Sequence, residues 1–205
     1  MRTNPFLDTL EWLFDPRLVV MILWALLIAS VLIARVNWRA DPLQRTGEHL
    51  TIWAMRLLIG SMWYQGSTWK LPLPYSDAFA HWLRQSGEHA SFPLLADLVN
   101  RVMIPALPVV GTFVYLLEFA LAASLILGLF TRFFSLVAVG QALFLWLTLY
   151  RAPHEWPWNY VFLALVHVAF VVMAAGRSLG ADAVIRRRAG AGSGAGSGGL
   201  LRLVT

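Results

Sequence analysis

Long apolar runs separated by polar connections most constrain the fold of this 205-residue chain. Five runs have the length of a membrane span: residues 18–34, 50–66, 104–130, 133–150 and 158–175. An α-helix rises about 1.5 Å per residue, so roughly 17–20 residues cross a hydrocarbon core of about 30 Å. Because lipid cannot satisfy backbone polar groups, these runs predict an all-α polytopic membrane protein.

Composition supports this class and excludes several kinds of site. Apolar residues make up 59% of the chain and charged residues 13%, about half the charged share of a typical soluble domain. Cysteine is absent, which excludes disulfides, thiol redox centres, cysteine-ligated iron–sulfur clusters and covalently attached c-type haem on this chain. No glycine-rich fingerprint follows a predicted strand, which argues against a Rossmann-type NAD or flavin site.

The basic residues indicate an orientation. All but one of the 16 are arginine, and beside membrane spans we interpret them as topology signals, so no nucleic-acid partner is predicted. With five spans, nine basic residues lie on the side of the 35–49 loop and the C-terminal tail, and six lie on the other side. The positive-inside rule then places the N-terminus outside and the C-terminus in the cytoplasm of a bacterial or archaeal plasma membrane.

Three segments follow along the chain. Residues 1–49 carry an extra N-terminal transmembrane helix, and residues 50–183 form a four-helix transmembrane bundle. Residues 184–205 are basic and then rich in glycine, which predicts a flexible cytoplasmic tail. The connection 67–103 contains apolar residues at helical spacing, so we expect short amphipathic helices on the extracytoplasmic side.

Four polar side chains interrupt the apolar runs: Arg56, Glu118, Gln141 and His167. Charged groups at this depth are costly and usually face the interior of a bundle. Counting the helical rise from the cytoplasmic ends places the four within roughly 10 Å of one another in depth, so they are expected to form one cluster. In one interpretation a buried Arg56–Glu118 pair fixes helix register, with His167 and Gln141 as hydrogen-bond partners. In the other, Glu118 exchanges protons under the influence of Arg56.

The outer mouth of the predicted bundle is rich in aromatic residues. Trp69, Trp156, Trp158 and Tyr160 suit an interfacial belt, as is common at membrane surfaces. Other polar residues lie beside them, and this density also suits the mouth of a ligand site. These polar neighbours are Gln65, Lys70, His154 and Glu155.

Four sequence pieces carry a family resemblance. They are RLLIGSMWYQGSTWKLP (56–72), LEFALAASLILGLFTR (117–132), WPWNYVFLALVHVAF (156–170) and AGRSLGAD (175–182). In order and spacing they resemble the DoxX/DoxD family, which includes the membrane subunits of thiosulfate:quinone oxidoreductase. The resemblance covers roughly residues 50–183 and implies a four-helix membrane bundle with quinone-linked redox chemistry. By position, Arg56, Lys70, Glu118 and Arg132 match the charged motif residues of the family.

The favoured hypothesis is therefore a quinone-interacting membrane subunit of an oxidoreductase. It would pass electrons from an extracytoplasmic donor to quinone, which is a substrate here rather than a resident cofactor. A partner subunit would supply the redox centre, because this chain offers no obvious electron carrier. The predicted catalytic residues are Glu118, Arg56 and His167. The predicted quinone-binding residues are Gln65, Trp69, Lys70, Gln141, His154, Trp156, Trp158 and Tyr160.

Two alternatives remain at this stage. The chain could be a non-catalytic scaffold or accessory subunit of a larger respiratory or photosynthetic complex, with the outer segment and the tail as docking elements. A small transporter is favoured least, because broken half-helices are absent from the pattern. A haem at His167 is the less favoured interpretation of that residue, since a bis-histidine haem needs a second histidine at matching depth.

Overall fold

The computed structural model describes residues 4–153, 155–156 and 158–192. Within them the chain is helical and contains no strand, which confirms the all-α class. The α-helices are α1 (Pro5–Leu13), α2 (Leu18–Ala40), α3 (Gly47–Thr68), α4 (Asp77–Glu88), α5 (Pro93–Leu98), α6 (Leu107–Leu127), α7 (Thr131–Leu149), α8 (Trp158–Val172) and α9 (Ala181–Gly192). Short helical turns at Pro42–Gln44, Val99–Met103 and Ala175–Arg177 connect them.

Three of the predicted spans correspond to helices that are long and apolar enough to cross a membrane, namely α2, α6 and α7. The other two predicted spans are also helical but differ in kind. Helix α3 has 22 residues but contains more polar groups, and α8 is apolar but has only 15 residues. Length and composition thus support a membrane-associated helical protein.

The long helices pack in antiparallel pairs. The most extensive contacts join α3 to α6 and α7 to α8, and α2 lies against α6. The main core lies between α3 and α6, where Trp63, Leu121 and Leu125 are buried with Phe170 of α8. This arrangement gives the bundle two ends, which we call the α4 end and the α9 end after the short helix at each.

A glycine allows α3 and α6 to approach closely. A Cβ atom built on Gly60 would lie 2.7 Å from Cγ1 of Ile126 and 3.1 Å from the Ile126 backbone nitrogen. Small residues permit such close approach of membrane helices. By contrast, a Cβ atom on Gly140 of α7 would meet nothing within 4 Å.

Gly60→Ala should therefore lower the free energy of unfolding by about 1–3 kcal/mol, because the added methyl group overpacks the α3–α6 interface. The matched change Gly140→Ala should be neutral or should stabilise the protein by about 0.5–1 kcal/mol, since it only removes backbone freedom from the unfolded chain. Thermal unfolding of both variants in one detergent measures the difference. Equal melting temperatures would contradict the close approach.

The N-terminal segment contains more structure than predicted. Helix α1 was not predicted; it begins after Asn4, whose side chain accepts hydrogen bonds from the backbone of Phe6 and Leu7 at 3.0 and 3.4 Å. Helix α2 runs to Ala40, six residues past the predicted end of the first span. The segment 1–49 thus holds two α-helices rather than one.

The amphipathic helices expected between the second and third runs are present as α4 and α5. Ser76 caps α4 by accepting a hydrogen bond from the Phe79 nitrogen at 3.1 Å. Phe79 and Leu83 are buried from one face of α4, against Val99 and residues of α6 and α7. Leu94 of α5 is exposed, as are the other apolar residues that follow it at helical spacing, Leu98 and Val102.

The predicted boundary at residue 184 is wrong. It falls inside α9, which continues through the basic residues to Gly192, so the first four residues of the predicted flexible linker (189–192) are helical. Residues 193–205, which complete the predicted tail, lie outside the described residues.

Candidate functional site

A largely apolar cavity of about 400 Å³ lies at the α4 end of the bundle. Its walls come from α3, α4, α6, α7 and α8, so the amphipathic helix α4 forms part of the lining. Aromatic rings dominate the lining: Trp63, Trp69, Phe79, Trp82, Phe144 and Tyr160. Cavities of this size and character, with a few polar groups, are typical of small-molecule sites.

Lys70 and Glu118 form a buried ion pair at this cavity. Nζ of Lys70 lies 2.5 Å from Oε2 of Glu118, and the two side chains are 5% and 6% exposed. The same Nζ donates a hydrogen bond to the Gly66 carbonyl at 2.8 Å and lies 4.2 Å from the Trp69 ring centroid. A lysine ammonium has three N–H donors. Two of them donate to acceptors among the described residues, and the third can contact the Trp69 ring or a ligand.

The sequence prediction assigned the wrong partner to Glu118. The predicted Arg56–Glu118 pair is absent, because Arg56 donates instead to the carbonyl oxygens of Leu125 and Ser178 at 2.7 and 2.8 Å. Leu125 is seven residues beyond Glu118 on α6, which corresponds to about 10 Å along the helix. The four polar residues of the predicted spans therefore do not form one cluster.

Arg56 belongs to a buried polar junction at the α9 end. Gly128 ends α6 in the left-handed region (φ 68°), and its carbonyl accepts a hydrogen bond from the Asp182 nitrogen at 2.8 Å. The Asp182 carboxylate accepts from the Phe130 and Thr131 nitrogens at 2.7 and 3.1 Å, which satisfies free donors at the start of α7.

The charged groups of this junction stabilise the packing at the α9 end. Burial raises the pKa of Asp182, while the N–H groups of Thr131 and Phe130 and the charge of Arg56 act in the opposite direction. Arg56 itself is fully buried. The sequence pieces that end α6 and begin α9 thus supply residues to this junction, and these contacts are structural rather than catalytic.

His167 is also buried, and its hydrogen-bond partner is Trp63 rather than Glu118. Its Nε2 accepts a hydrogen bond from Nε1 of Trp63 at 2.8 Å, and its ring packs edge-on against Phe170. Trp63 thus occupies the nitrogen that a haem iron would need, and aromatic rings fill the space around the imidazole. The residues present do not fit a haem at this histidine. Nδ1 of His167 is buried without a hydrogen-bond partner in the described part of the chain.

The remaining predicted binding residues divide into two groups. Trp69, Lys70, Gln141 and Tyr160 line the cavity. The Tyr160 hydroxyl lies 2.8 Å from Oε2 of Glu155, another lining residue.

The second group lies elsewhere. Gln65 faces an outer groove between α1 and α3, and Trp156 and Trp158 are each 56% exposed and do not line the cavity. His154 lies outside the described residues.

The sequence interpretation missed part of the lining. Phe79, Ser86 and Phe144 contribute to the cavity, although Phe79 was expected only on the apolar face of an amphipathic helix. Helical spacing in α4 predicted which face is buried, and no local pattern indicated that this face covers a cavity. Among the described residues, no group of three or more His, Cys, Asp or Glu side chains could hold a metal ion.

Comparison with known proteins finds no matching family model, no matching curated protein and no matching solved structure. The resemblance to the DoxX/DoxD family therefore stays a prediction.

Proposed function

We propose that this protein is a quinone-interacting integral membrane subunit of an oxidoreductase. In this proposal α2, α3, α6, α7 and α8 cross a plasma membrane, with the N-terminus outside. The α4 end then faces the extracytoplasmic side, where a partner subunit would deliver electrons from a donor such as thiosulfate.

The observation that carries the proposal is the aromatic cavity with its single buried ion pair. A quinone head group is flat and apolar and has two carbonyl oxygens that accept hydrogen bonds. The Trp69 and Trp82 side chains offer aromatic surface for such a ring, and the third N–H of Lys70 offers a donor to a carbonyl oxygen. These features match the chemistry of the ligand without requiring a resident cofactor.

Reduction of a quinone to a quinol consumes two electrons and two protons. The electrons come from the redox centre of the partner, because the sequence has no cysteine to ligate an iron–sulfur cluster. Lys70 donates a hydrogen bond to the quinone oxygen on which negative charge develops, and the protons come from water and reach the quinone through Glu118 and its hydrogen bond to Lys70. Arg56 and His167 do not line the cavity and have no step in this scheme.

Quinone binding tests the proposal directly. Trp69→Ala should weaken binding of decylubiquinone about two- to tenfold, because it removes an aromatic wall of the cavity. The matched control Trp158→Ala should leave the dissociation constant unchanged, since Trp158 is exposed and outside the cavity. Equilibrium dialysis of the purified full chain in mild detergent provides the measurement.

Two outcomes would overturn this assignment. One is the absence of saturable binding to the unchanged chain, and the other is an equal loss of affinity in both variants. Either result would favour the second candidate, a non-catalytic scaffold of a larger membrane complex. The exposed apolar residues Leu94, Leu98 and Val102 favour that candidate, since they could contact another subunit as well as lipid.

A further inference from the structure

A cationic pocket lies at the α9 end of the bundle, whereas the aromatic cavity lies at the α4 end. It has a volume of about 240 Å³ and is formed by the Pro42–Gln44 turn, the first turn of α3, the Ala175–Arg177 turn and α9. Three arginines line it: Arg177, Arg186 and Arg187. Asp41, Gln44 and His49 complete its polar lining.

The arginines reach one pocket because of local geometry. Arg186 and Arg187 lie three and four residues after Ala183, so all three share one face of α9. The Asp182 carboxylate fixes α9 against the start of α7, and this anchors the face that the pocket uses. Contacts with the start of α7 thus hold the pocket-lining face of α9 in place.

The single acidic residue in the lining does not neutralise this charge. Both carboxylate oxygens of Asp41 accept hydrogen bonds from the adjacent turn, from the Leu43 nitrogen and from Nε2 of Gln44, each at 3.1 Å. The lining thus holds three arginines and one aspartate, and Asp182, which lies outside the lining, also attracts Arg177.

Two further observations indicate an anionic ligand. Nη1 of Arg187 is buried and has no hydrogen-bond partner among the described residues, although a buried donor normally has one. Burial lowers the pKa of Arg177, and the nearby charges of Arg186 and Arg132 lower it further, against the opposing effect of Asp182. Like charges are thus held together around a cavity, which is favourable when an anion lies between them.

We propose that this pocket binds a phosphate group, with arginine guanidinium groups donating to its oxygens. Guanidinium groups match phosphate oxygens in geometry and can donate two parallel hydrogen bonds. The pocket lies where α2 ends and α3 begins, so an anionic phospholipid of the adjacent leaflet can reach it, as can a soluble phosphate ester. This inference is independent of the quinone proposal.

The test compares two double variants of the full chain in mild detergent by native mass spectrometry. Arg186→Gln/Arg187→Gln should weaken retention of phosphatidylglycerol by about tenfold or more, given the usual contribution of each basic residue near an anionic surface. The matched control Arg35→Gln/Arg39→Gln removes the same charge from exposed positions of α2 outside the pocket and should change retention less than about twofold. Phosphatidylcholine should be retained weakly by all three proteins.

Competition on the unchanged chain supplies a measurement that needs no variant. Glycerol 1-phosphate and inorganic phosphate should displace the lipid more effectively than chloride at equal ionic strength if soluble phosphates enter the pocket. If these phosphates do not displace the lipid, the phosphate group that the pocket binds comes from the lipid. Equal losses in the two double variants, or retention of neither phosphatidylglycerol nor glycerol 1-phosphate, would overturn the proposal.

Discussion

Lys70→Met should lower the free energy of unfolding by about 3–5 kcal/mol, because it leaves the Glu118 carboxylate buried without its partner. A second replacement, Glu118→Gln, should restore most of that loss, since the double variant buries no unpaired charge. The two changes should therefore be strongly non-additive. Chemical unfolding of the two single variants and the double variant in one detergent gives the coupling energy.

An exposed ion pair serves as the control for this cycle. Arg101 and Asp97 lie 3.2 Å apart, but their side chains are 78% and 56% exposed. Arg101→Met should cost no more than about 1 kcal/mol, as is usual for surface pairs. Additive effects at Lys70 and Glu118, or a Lys70→Met cost no larger than that of Arg101→Met, would show that the two groups are not paired at the cavity.

Arg56→Leu should destabilise the protein by about 3–6 kcal/mol, the sum of two hydrogen bonds to a charged donor of about 1.5–3 kcal/mol each. Arg56→Lys should recover only part of this, because one ammonium cannot reproduce the two-point contact with the Leu125 and Ser178 carbonyls. The exposed Arg35→Leu change should stay within about 0.5 kcal/mol of the unchanged chain. Thermal unfolding of the three variants measures the series.

Quinone binding by the folded Arg56→Lys variant tests whether Arg56 stabilises the fold or takes part in binding the quinone. The contacts of Arg56 lie at the α9 end, so the dissociation constant for decylubiquinone should be unchanged at a temperature where the variant is folded. A variant of normal stability that has lost quinone binding would contradict the placement of Arg56 in the junction.

Hydropathy predicted the long helices because the bilayer leaves few alternatives to them. All five predicted runs are helical, and the helix ends differ from the prediction by up to six residues; Thr46, for example, caps α3 so that it begins at Gly47 rather than Leu50. Helix α1 was missed because its nine residues are few and include Asp8 and Glu11, so no apolar run marks it. Most of helix α9 was missed for a related reason, because its arginine and glycine residues show no apolar periodicity that would predict a helix.

The partners of the buried charges could not be predicted from depth alone. Helical rise gives the height of a residue and leaves open which neighbour it faces. Lys70 follows the end of α3 and extends back to Glu118, whereas the sequence analysis placed it among the polar residues of the outer mouth. Arg56 donates to carbonyls beside backbone in the left-handed region at Gly128 and Leu179, and these conformations depend on tertiary contacts rather than on local pattern.

Lys70 is the only lysine in the sequence, and it is 4% exposed. Its burial makes the side-chain amine a chemical reporter of entry into the cavity. Acylating reagents of graded size and lipid solubility can modify this amine only by passing between the helices or beneath α4. The largest reagent that reacts then gives the width of the entrance, and the preference for lipid-soluble or water-soluble reagents identifies the medium from which molecules enter.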